Sequence, residues 1–194
     1  MANWAYTDYV IEGPAETLQK IEKAIKEHPT QEKSQEDWEG NVIIALNGDI
    51  AWKPAENHHM RGFINMESVF LDEEEGVLKF GAEEAWGVTD FNRELEELFP
   101  DIKVYWVTVE QDEAIYATND KEGKYFPYRF YVDTCIDGNY AVDEFKYKSD
   151  VFKWLHKISN GKINTEKKVE NFNNKADEEC SDDFIHIYEY EVVD

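Results

Sequence analysis

Hydrophobic and polar positions fall into short, regular blocks along the chain. Residues Trp4 to Glu12 (WAYTDYVIE) are rich in aromatic and β-branched types and end at Gly13-Pro14, which predicts a strand followed by a stop. Pro14 suits the first position of a helix, Glu16 sits in its first turn, and Leu18, Ile21 and Ile25 recur at helical spacing until Pro29. Between Thr30 and Met60 the run Gln31 to Asp37 is polar, and Trp38-Glu39-Gly40-Asn41 leads into the aliphatic patch Val42 to Leu46. That patch predicts a short helix, with a strand as the alternative, inside an elaborated crossover that turns at Asn47-Gly48-Asp49. Phe63 to Leu71 and Val77 to Trp86 read as a β-hairpin around the acidic tip Asp72 to Gly76. Thr89 is placed to cap a helix carrying Phe91, Leu95 and Leu98 on one face and stopping at Pro100. A strand from Ile102 to Glu110 and a hairpin partner from Ala114 to Asn119 follow, around Gln111-Asp112-Glu113.

The order β-α-β-β-α-β with one strand added is that of an α+β, ferredoxin-like antiparallel sandwich, in which both helices cover one face of the sheet. Residues 1–122 are expected to form this domain and residues 123–194 a C-terminal extension packed on it. The extension reads as a hairpin, Tyr125 to Thr134 and Tyr140 to Tyr147, around Asp137-Gly138. Ser149 then caps a helix bearing Phe152, Leu155 and Ile158, which Gly161 ends. Lys162 to Asp183 is polar and predicted to be a long loop, and Phe184 to Val193 a final strand.

Composition changes this picture in one direction. Hydrophobic residues make up 42% and aromatic residues 14% of the 194, enough to build a core. The formal net charge is −23, from 43 acidic against 20 basic residues. Binding to phosphate backbones or anionic membranes rests on Lys and Arg, so direct nucleic-acid binding and membrane association are not expected. Two uses of the charge remain: solubility through carboxylates on solvated faces, or an acidic surface that meets a basic partner. The N-terminus lacks the basic start and apolar run of a secretory signal, and the longest aliphatic run, Val42 to Leu46, is too short to span a bilayer. Cys135 and Cys180 form no CxxC and no disulfide framework, which points to a cytoplasmic, reducing setting.

Candidate chemistry is sparse. His58-His59 are adjacent and diverge in a strand, while His28, His156 and His186 are isolated, so no metal-ligand spacing is present. Glu83-Glu84 and the cluster Glu110, Asp112 and Glu113 are expected to be solvated charges, since an acid/base pair needs a carboxyl held in a cleft. No GxSxG, P-loop or GxGxxG occurs, and no catalytic, cofactor-binding or metal-binding residue is assigned. The dense aromatic run beside Lys124 is the one distinctive feature. Its members Tyr125, Phe126, Tyr128, Arg129 and Tyr131 either divide between core and sheet cover or form an exposed recognition surface.

Asn3-Trp4, the strand ending at Gly13-Pro14, the element Phe80 to Trp86, the helix closing Leu98-Phe99-Pro100 and the paired strands to Asn119 resemble YubB-type ferredoxin-like proteins of phages, plasmids and bacteria. The chain departs from that family at Trp4-Ala5, where the family often has Trp-Cys, and after Ala85-Trp86, where Gly87-Val88-Thr89 replaces Ser-Pro-Pro. The resemblance implies the fold and a bacterial or mobile-element setting, and carries over no catalytic residue. The expected function is a non-enzymatic protein-interaction module that meets a basic protein through a sheet surface or edge, including the special case of nucleic-acid mimicry. The alternative is an enzyme or small-ligand binder with an unfamiliar site between the sandwich and the C-terminal extension. Homo-oligomerisation through a sheet face is a third possibility.

Overall fold

The computed structural model describes residues 3–27, 38–48 and 59–193, in a mixed α+β arrangement. The chain divides into two compact units, Met1–Lys121 with Val192–Asp194, and Glu122–Glu191. No described helix is long and apolar enough to cross a membrane.

The first unit is organised by β1 (Trp4–Glu12). Its alternation turns Thr7, Tyr9 and Ile11 into the interior while Tyr6 and Asp8 stay exposed. α1 (Ala15–Glu27) follows and buries Leu18, Ile21, Ala24 and Ile25, the stripe its spacing predicts. α2 (Trp38–Asn47) is the short helix of the crossover, with Val42, Ile43 and Leu46 in the core. β2 (Gly62–Asp72) and β3 (Val77–Ala85) form the acidic-tipped hairpin, where Asp72 accepts the backbone N–H groups of Glu74 and Glu75. α3 (Phe91–Leu98), β4 (Lys103–Glu110) and β5 (Ile115–Thr118) complete the series.

β1 is flanked by antiparallel β3 and β4, β2 pairs with β3, β5 pairs with β4, and β9 (Glu191–Val192) joins the far edge, giving the order β2-β3-β1-β4-β5-β9. The register places Tyr9 between Phe80 and Trp106. The Tyr9 ring stacks on Phe80 at 5.0 Å, and Phe91 from α3 meets both edge-on at 6.2 Å. This aromatic row is the centre of the core.

The second unit is a three-stranded antiparallel sheet in the order β7-β6-β8, made by β6 (Phe130–Ile136), β7 (Asn139–Phe145) and β8 (Phe184–Glu189). α4 (Lys148–Ile158) and α5 (Glu166–Glu178) bury Val151, Leu155 and Val169 against Phe130, Val132, Ile136 and Ile185.

Four local expectations need correction. The segment Lys162 to Asp183, predicted as a loop, contains α5. Its apolar residues Val169, Phe172 and Ala176 form a stripe too thin to stand out among the charges, yet it packs on the second core. Thr165 accepts the Lys168 N–H as N-cap, and the Asn173 side chain bonds both the N–H (2.9 Å) and the carbonyl (2.8 Å) of Ile185, tying α5 to β8. β6 starts at Phe130 and not at Tyr125, because Pro127 has no N–H for a ladder and Arg129 folds back onto the preceding loop. The helix expected to be capped by Ser149 begins two residues earlier, at Lys148, with Tyr147 at the cap position. The final strand is two: β8 stays with β6, and the chain beyond the buried Tyr190 joins the other sheet as β9.

Because α5 is held by its cap and by one side-chain amide, both are measurable. Thr165→Ala is expected to lower stability by about 1 kcal/mol and Asn173→Ala by about 1–3 kcal/mol, since it strands two backbone groups of β8. Urea denaturation reads both; neutral substitutions would restore the loop.

Candidate functional site

Among the described residues, two places carry chemistry that the others lack. The first lies inside the first unit. Glu39 on α2 and Glu84 on β3, one predicted to be solvated, are both fully buried, with Thr89 and Tyr9 between and beside them. Glu84 sits in the apolar phase of its strand, on the face of Leu78, Phe80 and Ala82. Tyr9 Oη donates to Glu84 Oε1 at 2.6 Å, and Thr89 N donates to the same oxygen at 3.1 Å. Thr89 Oγ1 lies 2.6 Å from Glu39 Oε2 and 2.9 Å from Glu84 Oε1, and accepts the Phe91 N–H at 3.3 Å. One hydroxyl hydrogen cannot serve two carboxylates. A consistent arrangement keeps a proton on Glu39, with the Thr89 hydroxyl donating to only one of the two carboxyl groups. Burial, and then the charge of Glu84, push Glu39 well above the usual carboxylate range; burial and the two glutamates raise Tyr9 in the same way. The pair is closed to solvent, so it is a buried proton store and not a cleft acid/base pair.

Glu110, also expected to be solvated, is buried with its carboxylate on the backbone N–H groups of Asp112 and Glu113 at the β4–β5 turn. His59 holds the Ala85 carbonyl at 3.0 Å, whereas His28 and His58 lie outside the described residues. A groove of ≈ 410 Å³ runs between α3 and the β4–β5 strands of this unit. Most of its polar side chains are already bonded: Arg93 to Asp90, Glu96 to the Val104 N–H, Asn119 to the backbone of Val104 and Trp106, and Thr108 to Thr7.

The second place is the face of the β7-β6-β8 sheet turned away from α4 and α5. Its register lays out three rows: Glu144, Tyr131 and Tyr188; Val142, Asp133 and His186; Tyr140, Cys135 and Phe184. Asp133 is the middle of this grid. The rings are in contact around it, Phe184 on His186 at 4.7 Å, His186 to Tyr188 at 5.9 Å, Tyr131 to Tyr188 at 6.4 Å and Tyr140 to Phe184 at 6.1 Å. Tyr140 is 72% and Val142 55% exposed, so the face is wet at the β7 side. Cys135 beneath is buried, with Sγ 3.7 Å from Asp183 Oδ1, and burial followed by that carboxylate raises its thiol. Burial and then Asp133 raise the Tyr188 hydroxyl.

The predicted aromatic run is divided by this geometry. Tyr131 is on the open face, and Tyr128, just before the strand, is exposed. Tyr125 and Phe126 are half-buried in the loop that leads to β6. Arg129 donates from Nη1 to the carbonyls of Phe126 (2.7 Å) and Tyr128 (2.9 Å), binding that loop together. The face also draws on Phe184, His186, Tyr188 and Tyr140, which sequence reasoning did not gather, although the i, i+2 spacing of Phe184, His186 and Tyr188 signals one side of a strand.

Folding holds a proton on Glu39 that the unfolded chain releases above its ordinary value of 4.5. The stability Glu39 contributes is therefore complete below that pH and lost as pH rises toward the higher folded value, at up to about 1.4 kcal/mol per pH unit. Glu39→Gln has no proton to release, so between pH 5 and 8 the wild type is expected to lose stability relative to the variant. Parallel pH–stability curves from denaturant titrations would contradict the shared-proton arrangement. Comparison of the chain with protein-family models, with curated proteins and with solved structures finds no match.

Proposed function

We propose that the chain is a non-enzymatic protein-interaction module that binds a basic segment of a partner across the aromatic face of the β7-β6-β8 sheet. The observation that carries this reading is the aromatic frame around Asp133: ring faces attract cations, and a carboxylate among them supplies the counter-charge. A net charge of −23 favours encounter with a basic chain. The exposed β7 edge offers backbone groups to an added strand. The internal bonding of the groove at α3 speaks for this reading over a small-ligand site.

The fold reading belongs to the same proposal. The all-antiparallel order β2-β3-β1-β4, with α1 and α2 between β1 and β2 and α3 between β3 and β4, supports a ferredoxin-like sandwich extended by β5 and β9. The resemblance to YubB-type proteins suits such a module in a bacterial cytoplasm.

The test is calorimetric titration with an Arg- and Lys-rich peptide at low and high salt. Tyr140→Ala, at a position too exposed to govern folding, is expected to weaken binding by about 1 kcal/mol, roughly fivefold in Kd. Glu67→Gln, an exposed charge change in the first unit, is expected to leave it unchanged. Binding that responds to salt but equally to both substitutions would be diffuse attraction, and the proposed face would be wrong.

A further inference from the structure

Resting on that interaction reading, we infer that one spot on the face is built for a single guanidinium group, the end of a partner's arginine side chain. The spot is a depression of ≈ 310 Å³ lined by Tyr128, Tyr131, Val142, Asp143 and Glu144. Its carboxylate on the open face, Glu144, is held in place before any ligand arrives. Tyr190, 3% exposed, donates its hydroxyl to Glu144 Oε1 at 2.6 Å, and Asp143 Oδ1 accepts the Glu144 N–H at 2.9 Å. A carboxylate carries about four acceptor positions, so the bond from Tyr190 orients Glu144 without exhausting it.

The rings provide the second half of the site. Tyr128 is 47% exposed, and Tyr131 is the cross-strand partner of Glu144. Arg129 donates to loop carbonyls, Lys124 lies over Tyr125 at 5.0 Å and Lys146 over Tyr147 at 5.7 Å. Those two lysine–tyrosine contacts show the same chemistry within this unit. Another depression of the unit, at Phe130, Val169 and Ile187, already contains a cation, Lys148 paired with Glu166. A planar, weakly hydrated guanidinium can lie flat on a tyrosine ring while its edge meets a carboxylate; a compact, strongly hydrated ammonium cannot do both as well.

The experiment is an NMR titration of the ¹⁵N-labelled full chain with methylguanidinium, with methylammonium and sodium chloride at matched ionic strength. Methylguanidinium is expected to shift the amides of Tyr128, Tyr131, Val142, Asp143 and Glu144 in a saturable way, with methylammonium several-fold weaker. Glu144→Gln is expected to weaken methylguanidinium roughly fivefold. Tyr190→Phe, which keeps the carboxylate but frees its orientation, is expected to produce a smaller loss. Shifts no larger than those from sodium chloride, shifts elsewhere, or methylammonium binding as tightly would each overturn the seat. If the basic peptide still binds and Tyr140→Ala still weakens it while methylguanidinium leaves these amides unmoved, the seat fails and the wider face stands. If neither peptide nor methylguanidinium binds, both fall.

Discussion

The hydrogen-bonded series Glu39–Thr89–Glu84–Tyr9 joins α2, the turn before α3, β3 and β1, and the first unit is arranged around it. An isolated buried carboxylate is costly, and two side by side are tolerated when they hold one proton between them and receive donors. Here Glu84 Oε1 receives Tyr9 and the Thr89 backbone, which fixes the end of β3 against β1 and the entry to α3. Glu39 then sets how deeply α2 can sit. A Cβ on Gly62 would collide with the Glu39 carboxyl, so β2 carries the one residue type that leaves room for it. Packing alone would accept many residues at these positions. The proton count accepts few.

Much of this was legible in the sequence, and the reasons divide by range. β1, α1 and the β2–β3 hairpin are local patterns, and Leu18, Ile21 and Ile25 are buried as their spacing predicts. α5 was missed because Val169, Phe172 and Ala176 are three apolar residues among charges, and the core they meet is built from β6 and β8. Glu84 could have been noticed as a carboxylate in the apolar phase of a strand. Glu39 could not have been matched to it, since the two meet only in the folded chain, beside Thr89, fifty residues beyond Glu39 in the chain. The aromatic face has the same character: Tyr131 was visible beside Tyr128, but Tyr188 and His186 arrive from β8, across an intervening hairpin and two helices.

Acidity, too, separates into kinds once the chain is folded. Glu39, Glu84 and Glu110 are interior groups whose work is proton sharing and turn capping. Asp72 shapes a hairpin tip by accepting backbone N–H groups. Asp133, Asp143 and Glu144 differ because aromatic rings surround or adjoin them, which lowers the competition from water for an approaching cation. The formal net charge describes the long-range field.

Arg129 shows why the position of a residue type matters more than its identity. An arginine in a tyrosine-rich run reads as a contact residue, yet its side chain binds the Phe126 and Tyr128 carbonyls, and its backbone joins Phe145 and Tyr190. Through those bonds it ties together the loop that presents Tyr128, the end of β7 next to Glu144, and Tyr190, whose hydroxyl aims that carboxylate. The side chains of the seat thus come from three separate stretches, and Arg129 is the residue bonded to all of them. A site on sheet strands keeps its geometry better than one on a loop, and here the single loop contributor is bonded by the Arg129 guanidinium, while the Arg129 backbone bonds Phe145 and Tyr190. The residues that line the depression include carboxylates and no Lys or Arg, which is the condition for receiving a guanidinium from outside.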